Sequence, residues 1–278
     1  MRRGKFLRIR AGATHFDAPI PQNTAMNFFA LPELKDFPQN VFPLPLGLSD
    51  GGKWMVADFF KAQHLLIGGG AGKIYSYLNF LIKFFASKYS PEELKLCINA
   101  HKKDAFACAQ PLPHLLGGKI NITAPEILAG SQNLYRTYRD RHNLLAKENL
   151  DFFRHNKTRP QQKLPLIVSI TFDYSRLPAR KTNENLACAL ACKAFYAKNT
   201  GVFLIVAASN YAEETISRDV FDAYFPSRMS FCGKIKNPRN SVLIESNADA
   251  DISESQCVFL HAGKGGRIIQ TLQTPNYE

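Results

Sequence analysis

The sequence predicts an α/β domain built on a mainly parallel sheet with helices on both faces. Three observations predict it. First, several runs are apolar without alternation: Leu94 to Ala100, Leu164 to Ile170 and Val202 to Ala208. Strands buried on both faces read this way. Second, helical stretches separate these runs, as in chains that cross back over a parallel sheet. They are Ile74 to Ala86, a stretch opened by Thr123 and Pro125, and Asn185 to Ala197. Third, Gln63-His64-Leu65-Leu66-Ile67 runs into Gly68-Gly69-Gly70-Ala71-Gly72-Lys73 just ahead of the first helix. Ligands of such sheets gather beyond the carboxyl ends of the strands, where this glycine turn belongs.

In chain order, residues 1 to about 45 are irregular and punctuated by Pro21, Pro32, Pro38, Pro43 and Pro45. Proline interrupts regular ladders, so this part is expected to be a lead-in packed on the main domain. Its boundary is placed at 1–43, with the main domain over 44–278. Leu46-Gly47-Leu48 and Trp54 to Asp58 flank Ser49-Asp50-Gly51-Gly52-Lys53, a hairpin-type turn. After the glycine turn and its helix come the strand Leu94–Ala100 and a short strand Ile120-Asn121-Ile122. The helix capped by Thr123 carries Tyr135, Arg136, Tyr138, Arg139, Arg141 and His142. The polar stretch Asn156 to Lys163 reads as a surface loop. Met229 to Cys232, Cys257 to Leu260 and Arg267 to Gln270 read as the last strands.

Composition narrows the classes. With 278 residues and 45% hydrophobic content, the chain can bury a large core. No apolar run reaches the ~18 residues of a membrane span, and no long apolar segment follows the basic Met1-Arg2-Arg3-Gly4-Lys5. A formal charge of +12 favours a polyanionic partner such as DNA, RNA or an acidic membrane surface. The six cysteines form no C-x-x-C pair, and Cys188 and Cys192 lack a second ligand pair, so no metal site is expected. Buried cysteines in a reducing compartment suit this pattern.

The glycine turn carries the chemistry. Glycines let backbone N–H groups converge on phosphate oxygens, and a helix N-terminus adds its positive end. A full phosphate-binding loop reads G-x-x-x-x-G-K-[S/T]. Counted back from Gly72, its first glycine falls at Ile67, where the strand is still running, so the loop is one residue short. The hydroxyl that would hold Mg2+ is replaced by Ile74, which has no oxygen to offer. Gly68, Gly69, Gly70, Ala71, Gly72, Lys73 and Ile74 are therefore the candidate ATP-binding residues. Lys73 can bind phosphate as a point charge, while little is left for Mg2+. The competing reading is a tight strand-to-helix turn that needs glycine for steric reasons alone.

Elsewhere the ordinary structural reading competes with a functional one. His64 and His114 read as packed side chains. Arg136, Arg139 and Arg141 form a helix face able to touch phosphates, or a solvated face with Tyr135 and Tyr138 packed inward. Lys234, Lys236 and Arg239 make a second basic patch. Asp249, Asp251 and Glu254 read as a surface turn. No Ser-His-Asp spacing stands out.

Several of these pieces resemble, in order, the motor domain of FtsK/SpoIIIE-type DNA translocases. They are Leu44-Pro45-Leu46-Gly47 through Asp58, Gln63 through Ile67, Leu112-Pro113-His114-Leu115-Leu116, Tyr138 through His142, Gly201 through Ala208 and Phe225 through Phe231. The resemblance covers residues 20 to 275. It implies a RecA-like P-loop NTPase fold, a homo- or hetero-oligomeric ring, ATP as cofactor and double-stranded DNA as track. It also implies a cytoplasmic location, at the face of a membrane complex for relatives that serve secretion. Arg228 and Arg239 resemble family arginines near the subunit boundary and are candidate arginine fingers. The departures fall on the chemistry. Where the family carries an acidic pair after its core strand, this chain has Phe172 and Asp173. Asp173, standing for a glutamate, is the candidate catalytic carboxylate. The family's polar sensor is replaced by Ser209-Asn210-Tyr211. The expectation is a degenerate motor domain, with hydrolysis weak or lost, acting as a structural or regulatory subunit of a DNA-translocating or secretion ring. The alternatives are an active double-stranded DNA translocase and an ATP-independent nucleic-acid-binding module.

Overall fold

A computed structural model describes residues 37, 41–100, 102–172, 197–209, 225–231, 252–263 and 266–275. Among these residues nine strands form one sheet. The hairpin comes first: β1 (Pro43–Leu48) pairs antiparallel with β2 (Trp54–Asp58). Pro43 and Pro45 lie inside β1 rather than ending it. Proline brings no N–H to a ladder, and the β1–β2 register shifts between Pro45 and Gly47 to accommodate it. On its other side β1 pairs antiparallel with β9 through Leu48 opposite Gln273.

A short helix, α1 (Phe59–Ala62), is capped by Asp58, whose carboxylate accepts from the Phe60 N–H at 3.1 Å. It leads into β3 (Leu65–Gly69), then α2 (Ala71–Lys88), then β4 (Leu94–Ala100). The long helix α3 (Ala124–Glu148) and the short α4 (Phe152–Thr158) follow, then β5 (Leu166–Phe172). The one-turn helix α5 (Ala197–Thr200) precedes β6 (Val202–Ala208), and β7 (Ser227–Phe231), β8 (Gln256–Gly263) and β9 (Gly266–Gln273) close the chain.

The order across the sheet is β2-β1-β9-β8-β7-β3-β6-β5-β4. The block β7-β3-β6-β5-β4 is parallel throughout. The strand that carries the glycine turn sits inside this block, with β6 on one side and β7 on the other. Both faces are buried. Leu65 and Ile67 of β3 and Phe203, Ile205 and Ala207 of β6 face the core under α2. Leu66, Leu204 and Val206 face the other way, with Ile127 and Leu134 of α3. Two-sided burial explains why these strands show no alternation in sequence.

The helices form for local reasons. In α2, Ile74, Tyr77, Leu78, Leu81 and Phe85 recur at helical spacing and are buried. The α3 start carries a full capping box: Thr123 Oγ1 accepts from the Glu126 N–H, and Glu126 accepts from the Thr123 N–H at 3.0 Å. Two expectations need correction. Ile120–Ile122 is not a strand but a single bridge, Asn121 beside Asn99, that covers the outer edge of β4. The stretch 156–163 is not a plain loop, because α4 and a tight turn over Pro160–Gln162 occupy most of it. The predicted helix Asn185–Ala197 lies almost wholly outside the described residues, as do Cys188, Cys192, Cys232, Lys234 and Lys236.

Candidate functional site

The glycine turn is tighter than its sequence suggests. β3 continues through Gly69 and α2 starts at Ala71, so Gly70 alone joins strand to helix. Gly69 takes φ +125°, a conformation that glycine alone adopts with ease. A Cβ there would overlap the backbone carbonyl of Phe231 at the end of β7. The Gly70 N–H donates to that same carbonyl at 3.1 Å. At Gly68 and Gly69 the backbone is thus committed to the sheet, with Gly68 opposite Ala208 and Ser230 and Gly69 opposite Phe231.

What remains for a ligand is the first turn of α2. Ala71, Gly72 and Lys73 are exposed, no side chain caps this end, and Gly70 and Gly72 face open space. Such a turn offers backbone N–H groups, the positive end of the helix and the Lys73 ammonium to an anion. It fits a phosphate group. It offers a helix turn rather than a wrapping loop, because Gly70 alone joins β3 to α2.

The same geometry does not fit a Mg2+ ion. Ile74 is fully buried in the α2-side core. At the end of β5, Phe172 is buried and its ring lies 4.3 Å from that of Tyr75 and 6.3 Å from that of Phe106. An aromatic cluster therefore occupies the strand end beside the first turn of α2, where an acid would serve a metal. Tyr75 and Phe106 were not singled out from sequence. The signal was Phe172 itself, an aromatic residue in place of a carboxylate. Among the described residues, no group of three or more His, Cys, Asp or Glu is placed to hold a metal ion.

The other candidates scatter. Arg228 lies in β7 opposite Leu66 of β3, is 5% exposed, and donates from Nε to the Phe225 carbonyl at 3.2 Å. Asp173 and Arg239 lie outside the described residues. Of the α3 arginines, Arg136 and Arg139 are exposed but Arg141 is buried and donates to the Thr200 carbonyl at 3.0 Å. Burial lowers its pKa to about 10. His64 is a packed side chain whose Nδ1 accepts from the Leu204 N–H at 3.1 Å. Ser227 and His261 form a pair at 2.9 Å, yet the serine donates to the Ala62 carbonyl at 2.8 Å. The histidine therefore donates to the serine, and the pair is not an activated nucleophile.

Sequence reasoning also missed a buried polar ladder on the α3 side of the strand ends. Asn121 donates to Asn99 at 2.9 Å, and Asn99 donates to Thr171 at 3.0 Å. Thr171 immediately precedes Phe172, so the last two residues of β5 present a polar link on one face and an aromatic ring on the other.

Comparison with known proteins decides the family. The sequence profile of the FtsK/SpoIIIE family matches residues 32–208. The chain belongs to the FtsK/SpoIIIE family. Its relatives include proteins named DNA translocase FtsK. That of Clostridium tetani is 27% identical over 282 residues, covering 93% of this chain and 37% of the relative. That of Chlamydia pneumoniae is 28% identical over 258 residues, covering 86% and 31%. The chain thus spans about a third of the length of these curated relatives. Among solved structures, the cytoplasmic domain of the Type VII secretion ATPase EccC from Thermomonospora curvata superposes with a TM-score of 0.70 at 18% identity, covering 90% of this chain and 31% of that one. The pCW3 conjugation coupling protein TcpA, in its monomer form with ATPγS, gives 0.72 at 13% identity, covering 89% and 69%. The fold of this FtsK/SpoIIIE member is the RecA-like P-loop ATPase fold. No helix among its described residues is long and apolar enough to cross a membrane.

Proposed function

We propose that this chain is an FtsK/SpoIIIE-type module with a degenerate nucleotide site, serving as a structural or regulatory subunit of a ring that moves DNA or exports protein. The observation that carries this reading is the pairing of a one-residue turn at Gly70 with buried Ile74 and the Phe172–Tyr75–Phe106 cluster. Phosphoryl transfer rests on positioned charge, and Mg2+ supplies much of it by neutralising the phosphate oxygens. Here the positions that would organise the metal are apolar. Lys73 and the first turn of α2 hold phosphate without it. Asp173, the residue after Phe172, is the carboxylate left to act on water, and Arg239 is the arginine left to serve a neighbour's site, because Arg228 is buried within the sheet and bonded to the Phe225 carbonyl. The setting proposed is the cytoplasm, as for the cytoplasmic domain of EccC.

The test is calorimetric titration of ATP into the purified protein, with and without Mg2+, beside Lys73→Ala. The expected result is weak binding that Mg2+ does not strengthen and that Lys73→Ala abolishes. Tightening by Mg2+ of tenfold or more would overturn the reading. The rival reading is an active double-stranded DNA translocase. It draws on the exposed Lys73 and on relatives named DNA translocase. Hydrolysis stimulated by duplex DNA would favour it.

A further inference from the structure

The glycine turn is held shut by the end of β7. Gly68 lies opposite Ser230 and Gly69 opposite Phe231, and the Gly70 N–H then donates to the Phe231 carbonyl at 3.1 Å. Free backbone N–H groups are what such a turn presents to a phosphate. Here the protein's own carbonyl occupies one of them.

The two sides of this contact are not equally anchored. Phe231 is 2% exposed, and its ring packs 5.3 Å from that of Tyr77 in α2. The Tyr77 hydroxyl is fixed in turn, donating to the Pro45 carbonyl of β1 at 2.8 Å. The end of β7 is thus pinned through α2 to the hairpin. The end of β3 is not. Leu65, Leu66 and Ile67 lock that strand into the cores on both faces. Gly68, Gly69 and Gly70 have no side chain to pack. The pairing with β6 ends at Gly68, so Gly69 is paired on one side, with Phe231. Its φ of +125° is one that glycine adopts with ease, and glycine has the widest choice of others. The run that permits the closed turn therefore also permits it to open, and the glycine side is the side that moves.

We propose that the turn is an autoinhibited phosphate loop. The Phe231 carbonyl blocks the Gly70 N–H, and a phosphate enters by displacing it as Gly69 and Gly70 swing away from β7. Opening lengthens the join between β3 and α2 from Gly70 alone to Gly69 and Gly70. The proposal rests on the reading of the first turn of α2 as a phosphate site and adds how that site is regulated. A ligand that needs the open turn binds more weakly in proportion to the fraction of molecules that are open. Loosening the end of β7 strengthens binding, and tightening it weakens binding. Occupancy of the site is registered at Phe231, in the neighbouring strand.

The test is NMR of the full chain carrying 13C-carbonyl phenylalanine and 15N cysteine. Phe231-Cys232 is the one Phe-Cys step in the sequence, so a single correlation reports the Phe231 carbonyl. Addition of saturating ATP without Mg2+ is expected to move that carbonyl upfield as it loses its hydrogen bond. An unmoved carbonyl with ATP bound would overturn the proposal and leave the nucleotide reading intact. A second measurement is the titration of ATP into Gly69→Ala, whose Cβ overlaps the Phe231 carbonyl in the closed turn. This variant is expected to bind ATP about fivefold more tightly than the parent, the equivalent of one net hydrogen bond no longer to be broken. Its carbonyl signal is expected to stand upfield before ATP is added. Equal or weaker binding by the folded variant would mean that the closed turn is itself the binding form, and would overturn the proposal. The carbonyl measurement uses the parent chain and stands whether or not Gly69→Ala folds. Absence of ATP binding by both proteins would overturn this proposal and the nucleotide reading together. Tightening by Mg2+ with an upfield carbonyl would overturn the nucleotide reading alone.

Discussion

Gly69 and Gly72 sit three residues apart in the same glycine run and do different work. Gly69 holds a positive φ against the Phe231 backbone, whereas Gly72 lies in an open helical turn. Gly69→Ala is expected to cost about 2–3 kcal/mol through strain and overlap, and Gly72→Ala to gain up to ~1 kcal/mol of helix propensity. Urea unfolding of both variants measures this. Equal effects would show that the run is a uniform flexible loop. Ile74 extends the point. Restoring a hydroxyl with Ile74→Thr is expected to cost about 1–3 kcal/mol, because the hydroxyl is buried in an apolar core. It is not expected to create a Mg2+ response. A Mg2+-dependent gain in ATP affinity by that variant would mean the α2 start rearranges to face a ligand.

The start of α3 is where charge and helix geometry meet. Glu126 Oε1 receives the Lys119 ammonium at 2.6 Å, and Oε2 closes the capping box with the Thr123 and Ile122 N–H groups. Lys119 first, then these N–H groups, lower its pKa from the usual 4.5 to about 2. Because the folded state favours the ionised carboxylate, its contribution is complete above pH ~4.5 and is lost as pH falls towards 2. Thermal melts should therefore show Glu126→Gln below the parent protein at pH 7, with the gap closing by pH 2. A gap independent of pH would mean that packing, not charge, sets the effect. Thr123→Ala is expected to cost ~1 kcal/mol at neutral pH.

At the scale of the molecule, the parallel block was legible because β4, β5 and β6 are buried on both faces and are mostly apolar without alternation. The antiparallel flank was legible as separate strands but not as an order, since nothing local says that β9 lies between β1 and β8. The site was legible in part. Ile74 and Phe172 stood out against a known spacing. Their company did not, because Tyr75 and Phe106 meet Phe172 only after folding. The stretch 156–163 departs from its loop reading for a related reason. It is polar in sequence, while the buried His155 and half-buried Asn156 that order it make their contacts across turns of chain.

On the proposed function, the nucleotide site has lost what organises the metal while the fold remains. Steady-state ATP turnover by the purified protein, with Mg2+ and saturating duplex DNA, is the measurement to make. Turnover indistinguishable from that of Lys73→Ala is the predicted result. Mg2+-dependent turnover of 1 per second or faster, in the ordinary range of enzymes at about 1–1,000 per second, that Lys73→Ala abolishes would contradict it.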